Sequence, residues 1–121
     1  MEAPNHSVLI CDDSMLVRKK LRDILEEMHC RVFEAKNGLE CVELFKQHTP
    51  QTVFLDIVMP ELDGLNALKQ LRACDQKSRI IMLSSTGTSA KLLEALKSGA
   101  TDFIQKPYTK EQIAKAIGHT E

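Results

Sequence analysis

The chain is predicted to fold as a doubly wound α/β domain, a parallel sheet of five strands in the order 2-1-3-4-5 with helices on both faces. Three observations predict it. Short apolar runs alternate five times with longer stretches whose apolar residues recur at helical spacing. Strict alternation of this kind demands right-handed crossovers onto a parallel sheet. Charged residues also stop three of the runs: Asp12-Asp13 after Ser7 to Cys11, Asp56 after Thr52 to Leu55, and Lys106 after Phe103 to Gln105.

Each element has its own signal. Ser14 opens a helix with Val17, Leu21, Ile24, Leu25 and Met28 on one face. Arg31 to Ala35 reads as a strand, punctuated by Asn37-Gly38, and the next helix carries Leu39, Val42 and Phe45 before Pro50. The strand ending at Asp56 leads through a loop from Met59 to Gly64, with Met59-Pro60 read as a loop brace, into a helix with Leu65, Leu68 and Leu71. Arg79 to Ser84 is the fourth strand. The fourth helix uses Leu92, Leu93 and Leu96 and closes at Gly99. Thr101 to Gln105 is the fifth strand, and Thr109 with Gln112 forms a capping box for a last helix containing Ile113 and Ile117. The first, third and fourth strands are almost wholly apolar, as central strands are. The second and fifth carry Glu34 and Gln105, as edges do. That ordering sets the first strand beside the third, so Asp12, Asp13 and Asp56 meet at the point where the winding reverses.

Composition narrows the function classes. The 121 residues suit one domain, with 43% hydrophobic and 27% charged residues. Sixteen basic against seventeen acidic residues leave a net charge of -1, which disfavours nucleic-acid binding. No apolar stretch is long enough to span a bilayer, and Met1 to His6 lacks the regions of a signal peptide, so a cytoplasmic protein is expected. Cys11, Cys30, Cys41 and Cys74 have no metal or redox spacing, and three of them fall in or beside apolar segments, where a free thiol packs as a small hydrophobe. His6, His29, His48 and His119 show no ligand spacing.

The charged residues at the strand ends carry the chemistry. An acidic residue after a strand is ordinarily a cap or a turn former, and Asp13 or Ser14 would serve the first helix that way. Carboxylates converging from separate strands are different, because like charges without a counter-ion are costly. An all-oxygen cluster favours a hard cation, and Mg²⁺ suits it best, since that ion binds through one or two carboxylates and takes phosphate oxygens as further ligands. Asp56 could then act as a nucleophile forming an acyl phosphate, with Lys106 neutralising phosphoryl oxygens and Ser84 donating a hydroxyl. No Gly-x-Gly-x-x-Gly or Walker-type loop offers a rival phosphate site.

Leu9-Ile10-Cys11-Asp12-Asp13-Ser14, Leu55 to Pro60 with Asp63-Gly64, Ser98-Gly99-Ala100 and Lys106-Pro107 together resemble the receiver domains of two-component response regulators, of the single-domain, CheY-like chemotaxis type. The resemblance covers essentially all of residues 1–121. It implies the flavodoxin-like (βα)5 fold, and the strand order above is also that of flavodoxin and CheY. It implies Asp56 as phosphoacceptor, Mg²⁺ held by Asp13, Asp56 and the backbone carbonyl of Val58 with Asp12 assisting through water, and Lys106 contacting the phosphoryl group. Ser84 and Phe103 take the places of the switch hydroxyl and switch aromatic, and Phe103 alone would otherwise read as core.

Two positions depart from the pattern: Val58 is apolar where the family tunes self-dephosphorylation, and Phe103 lacks a tyrosine hydroxyl. The implied function is a phosphorylation switch in two-component signalling, in chemotaxis, that catalyses only its own phosphorylation and dephosphorylation. A histidine kinase would be the donor, and a protein target would bind at the face made by the fourth helix, fifth strand and fifth helix of a monomer. The alternatives are a receiver segment of a longer transcriptional regulator and a pseudo-receiver interaction module, the second disfavoured by the intact set Asp13, Asp56, Ser84 and Lys106.

Overall fold

A computed structural model describes residues 6–59, 61–85 and 89–118. Met1 to Asn5, the brace residue Pro60 and His119 lie outside the described residues. The elements run β1 Ser7–Cys11, α1 Met15–Glu27, β2 Arg31–Ala35, α2 Gly38–His48, β3 Thr52–Asp56, α3 Gly64–Cys74, β4 Arg79–Ser84, α4 Ser89–Lys97, β5 Asp102–Gln105 and α5 Lys110–Ala116. All strand pairs are parallel and the order is β2-β1-β3-β4-β5, as expected. None of the helices is long and apolar enough to cross a membrane, among the described residues.

Side-chain alternation along the central strands splits the core in two. Val8 and Ile10 of β1, Phe54 of β3, and Ile81 and Leu83 of β4 point to α1 and α5, where they meet Leu21, Ile24, Leu25 and Ile113. Leu9 and Cys11, Val53 and Leu55, and Ile80 and Met82 point the other way, to Phe45, Leu68, Leu71 and Ala95. Both faces of β1, β3 and β4 are therefore covered, and their apolar composition follows from that. The edge strands are more open, with Arg31 exposed on β2 and Asp102, Phe103 and Gln105 exposed on β5.

Capping follows the local sequence. Ser14 accepts a hydrogen bond from the Val17 N–H at 3.3 Å, so Ser14 rather than Asp13 caps α1. Thr109 and Gln112 form the reciprocal capping box of α5. Gly99 ends α4 with φ 116°, a conformation that favours glycine.

Three apolar residues assigned to buried helix faces are exposed. In α2 the buried stripe is Gly38, Cys41, Val42 and Phe45, whereas Leu39 is 52% exposed. At about 100° of turn per residue, Leu39 sits a quarter-turn off that stripe. Gly38 occupies the inner position because the helix runs against the Leu62 carbonyl, which a Cβ there would approach to 1.9 Å. In α4 the inner positions are Leu92 and the small, fully buried Ala95, while Leu93 (60%) and Leu96 (37%) face outward. Phe103, which reads as core from composition, is also 40% exposed on β5. The fifth strand begins at Asp102 rather than Thr101, whose hydroxyl accepts the Ile80 N–H at 3.0 Å. Cys11, Cys30 and Cys41 are buried and Cys74 is exposed.

The start of α3 ties the core to the end of β3. The Gly64 N–H donates to the Ile57 carbonyl at 2.9 Å, and a Cβ on Gly64 would lie 2.0 Å from the Asp56 carbonyl oxygen. Because the obstacle is backbone, Gly64→Ala is expected to push α3 off the sheet edge and cost about 1–3 kcal/mol or more, read by urea denaturation. Unchanged stability would show that the turn re-forms without strain.

Candidate functional site

The strand register delivers the charged residues to one edge. Cys11 pairs with Leu55, so Asp12 follows directly beside Asp56. Asp56 in turn pairs with Leu83, and Ser84 with Gln105, which places Lys106 one step beyond. The Lys106 N–H donates to the Ser84 carbonyl at 2.8 Å, fixing the chain where the ammonium leaves the sheet.

Carboxylate oxygens of Asp12, Asp13 and Asp56 lie within 4.8 Å of one another. Asp12 is 1% exposed; its Oδ1 accepts the Ser14 N–H at 2.9 Å and its Oδ2 accepts the Lys106 ammonium at 3.0 Å. Asp56 is also buried, with Oδ1 accepting the Val58 N–H at 3.3 Å and Oδ2 lying 3.6 Å from Lys106 Nζ. Asp13 is exposed at the mouth. The arrangement brings together all four residues that the sequence singles out by charge.

Electrostatics follow from three negative groups around one positive group. Burial, and then the charge of Asp12, push the Asp56 carboxyl up to about 6, against the opposing pull of Lys106 and the Val58 N–H. Burial also works to lower the Lys106 pKa, but its hydrogen bond to Asp12 and the charges of Asp56 and Asp12 outweigh that, so it stays above its usual value. The Tyr108 phenol is held at about 12 by burial and by Asp12.

A hard divalent cation fits this donor set. The ligand atoms are all oxygen, they converge from two strand ends, and the exposed Asp13 leaves one side open to approach. One ammonium leaves the carboxylates in excess, which a cation would relieve.

The remaining expected residues are placed differently. Ser84 is buried at the end of β4, on the strand next to Asp56. Val58 is 52% exposed, and the contact it makes is through its N–H to Asp56. Phe103 stands apart from the carboxylates, opposite Met82 in register and therefore on the same sheet face as Ser84. Two features lay beyond the sequence reading. An open, largely apolar pocket of about 380 Å³ lies beside Lys106, lined by Leu16, Val17, Lys20, Pro107 and Tyr108, next to the exposed Met15. Arg18 reaches the backbone of Asp12 from α1. Its signal was Glu34, an opposite charge on the edge strand, which marked the strand as an edge without naming a partner.

Fold and site together define a doubly wound α/β domain with a carboxylate cluster and one lysine where its winding reverses. Residues 8–118 match the response regulator receiver domain family, and the chain belongs to it. It is 41% identical over 116 residues to the chemotaxis protein CheY of Bacillus subtilis, covering 95% of this chain and 97% of that one. It is 43% identical over 110 residues to CheY of Halobacterium salinarum, covering 91% and 92%. Among solved structures, the CheX-CheY-BeF3-Mg²⁺ complex from Borrelia burgdorferi superposes with a TM-score of 0.84 at 32% identity, over 92% of this chain and 85% of that one.

The raised Asp56 pKa has a consequence for stability. Its folded value lies above the ordinary 3.8, so the folded state holds a proton that the unfolded chain releases between there and about 6. The stability it contributes is fully present below the ordinary value and is lost as pH rises through about 6. In metal-free buffer at pH 7, Asp56→Asn is therefore expected to stabilise the protein by on the order of 1–3 kcal/mol, with the gain fading in acid. Thermal melts across pH check it; a variant no more stable than wild type at pH 7 contradicts it.

Proposed function

We propose that this protein is a cytoplasmic phosphorylation switch of a two-component system, working in chemotaxis-like signalling. It takes a phosphoryl group from a histidine kinase onto Asp56 and changes a partner-binding face. The observation that carries this reading is the geometry of Asp56: a buried carboxylate at a strand end, 3.6 Å from an ammonium and flanked by two further carboxylates. Family membership and the CheY relatives support the same assignment.

In the proposed reaction an Asp56 oxygen attacks the phosphorus of a donor phosphohistidine. A P–O bond forms as the P–N bond breaks, and the departing imidazole takes up a proton. Asp56 has to be ionised to attack, and a value near 6 leaves it mostly so at neutral pH. Asp13 and Asp56, with the Val58 carbonyl, would hold Mg²⁺, and Asp12 would assist. When bound, that cation neutralises charge on the phosphoryl oxygens. Lys106 serves the same oxygens from the end of β5, and Ser84 offers a hydroxyl. No free substrate is turned over; the protein catalyses only its own phosphorylation and dephosphorylation. The apolar pocket around Leu16 and Tyr108 borders Lys106 and gives a phosphodonor a surface to rest on.

For output, the exposed Leu93, Leu96 and Phe103 form the apolar part of the α4-β5-α5 side. A pocket of about 400 Å³ opens there, lined by Ile81, Asp102, Phe103, Ile104, Gln112 and Lys115. An exposed aromatic at the rim of a concavity, Phe103, fits a protein target. Phosphoryl oxygens would draw the Ser84 hydroxyl toward Asp56, and Phe103, on the same sheet face, would turn inward.

Incubation with Mg²⁺ and acetyl phosphate is expected to add one phosphoryl group by intact mass to the wild type and none to Asp56→Asn. Modification surviving in that variant overturns the phosphoacceptor assignment. The relay has its own test in NMR shifts at Phe103 and Gln105 on adding beryllium fluoride with Mg²⁺. Ser84→Ala is expected to bind the mimic yet lose most of the shift, since a hydrogen bond to a charged group is worth about 1.5–3 kcal/mol. A full wild-type shift pattern in Ser84→Ala means that the hydroxyl is not the relay.

A further inference from the structure

Asp12 is held through each of its polar groups. Its N–H donates to the Ala35 carbonyl at 3.1 Å, and its carboxylate accepts from Ser14 and Lys106. Its backbone carbonyl accepts Arg18 Nη1 at 2.7 Å. That carbonyl belongs to the peptide joining Asp12 to Asp13. Because the peptide is planar, fixing the carbonyl sets the direction in which Asp13 leaves the chain. The Asp13 carboxylate forms no hydrogen bond or ion pair among the described residues, so its aim depends on the backbone.

Arg18 is itself clamped. Its Nε donates to Glu34 Oε1 at 2.9 Å, and its side chain is only 13% exposed. The other Glu34 oxygen accepts Arg22 Nη1, and Arg22 Nε donates to Glu26 at 3.0 Å. Burial opposes ionisation of Glu34, but the hydrogen bonds from Arg22 and Arg18 outweigh it and hold the carboxyl below its usual range. Glu34 pairs in register with Ile10, two residues before Asp12. The guanidinium thus ties β2 to the turn after β1, using both prongs of a planar fork that lysine lacks.

We infer that Arg18, braced by Glu34 on β2, is a positioning residue of the acidic site, setting Asp13 for a divalent cation that Arg18 itself does not touch. This rests on the reading of Asp13 and Asp56 as Mg²⁺ ligands. It also makes a prediction whose sign opposes simple electrostatics. Arg18 is a positive charge near a cation site, so by Coulomb's law alone its removal strengthens Mg²⁺ binding. Loss of a group that orients a ligand weakens it, by about tenfold to a hundredfold in well-studied metal sites.

The test is titration of the metal-free full chain with MgCl₂, followed by amide NMR shifts, for wild type, Asp13→Asn, Arg18→Ala and Arg18→Lys. Arg18→Ala is expected to bind Mg²⁺ about tenfold more weakly. Its amide spectrum should change mainly at residues 12–14 and 34–35. Arg18→Lys keeps the charge but cannot serve both the carbonyl and Glu34, so a few-fold loss is expected with no change in net charge. Unchanged or tighter binding in Arg18→Ala overturns the inference. If that variant does not fold, full wild-type affinity in Arg18→Lys overturns it equally. Asp13→Asn separates the two levels. Should it lose Mg²⁺ while the Arg18 variants do not, only the positioning role fails. Should it bind as wild type does, the ligand assignment fails and the inference falls with it.

Discussion

Three carboxylates share one end of a parallel sheet with a single ammonium, and the local structure is organised around that imbalance. Asp12, nearly sealed from solvent, is the most completely partnered, taking the Ser14 N–H and the direct bond from Lys106. Asp56 receives less, a 3.3 Å contact from the Val58 N–H and a longer approach to Lys106. Burial therefore costs Asp56 more than its neighbours return, and its carboxyl rises to about 6. A group left short of positive charge attracts a cation and gains from any further donor. That is the state the proposed phosphoacceptor role asks of it.

Such an imbalance survives only on a rigid frame. β1, β3 and β4 are packed on both faces, so their ends cannot slide apart to relieve the repulsion. Register then does the placing: Asp12 and Lys106 each follow a paired strand residue by one step, and Asp56 is itself paired with Leu83. Gly64 lets α3 begin against the carbonyl of Asp56 itself, and Gly38 lets α2 lie against Leu62. The glycines are thus part of how the site is held, although neither touches a charged group.

The fold was legible because its signals are local. Alternation, apolar central runs and caps at Ser14 and Thr109 each depend on neighbours in sequence, and so does the clustering of Asp12, Asp13, Asp56 and Lys106 once the order of strands is known. What sequence could not show depends on tertiary seating. Leu39 and Leu93 have the composition of core residues, but Gly38 takes the inner place in α2, where the Leu62 backbone comes close, and the small Ala95 takes it in α4. Phe103 lies on an edge strand whose outer face no helix fully covers. Arg18 was invisible for another reason: its contact is to a backbone carbonyl, and a carbonyl leaves no mark in a sequence.

These misplaced apolar residues bear on function. Leu93, Leu96 and Phe103 stay exposed, and Asp12 and Asp56 stay buried at the sheet edge. Between them runs a short covalent and hydrogen-bonded path: Ser84 ends β4, its carbonyl accepts the Lys106 N–H, and β5 carries Phe103 just before Lys106. New acceptor oxygens at Asp56 under the proposed reaction would act on both Ser84, which ends β4, and Lys106, which follows β5. One charged hydrogen bond, worth about 1.5–3 kcal/mol, shifts a two-state equilibrium by roughly ten- to a hundredfold. That is enough to turn a half-exposed aromatic without unfolding the sheet beneath it. Apolar side chains kept outside the core are what the proposed docking of a protein target would cover.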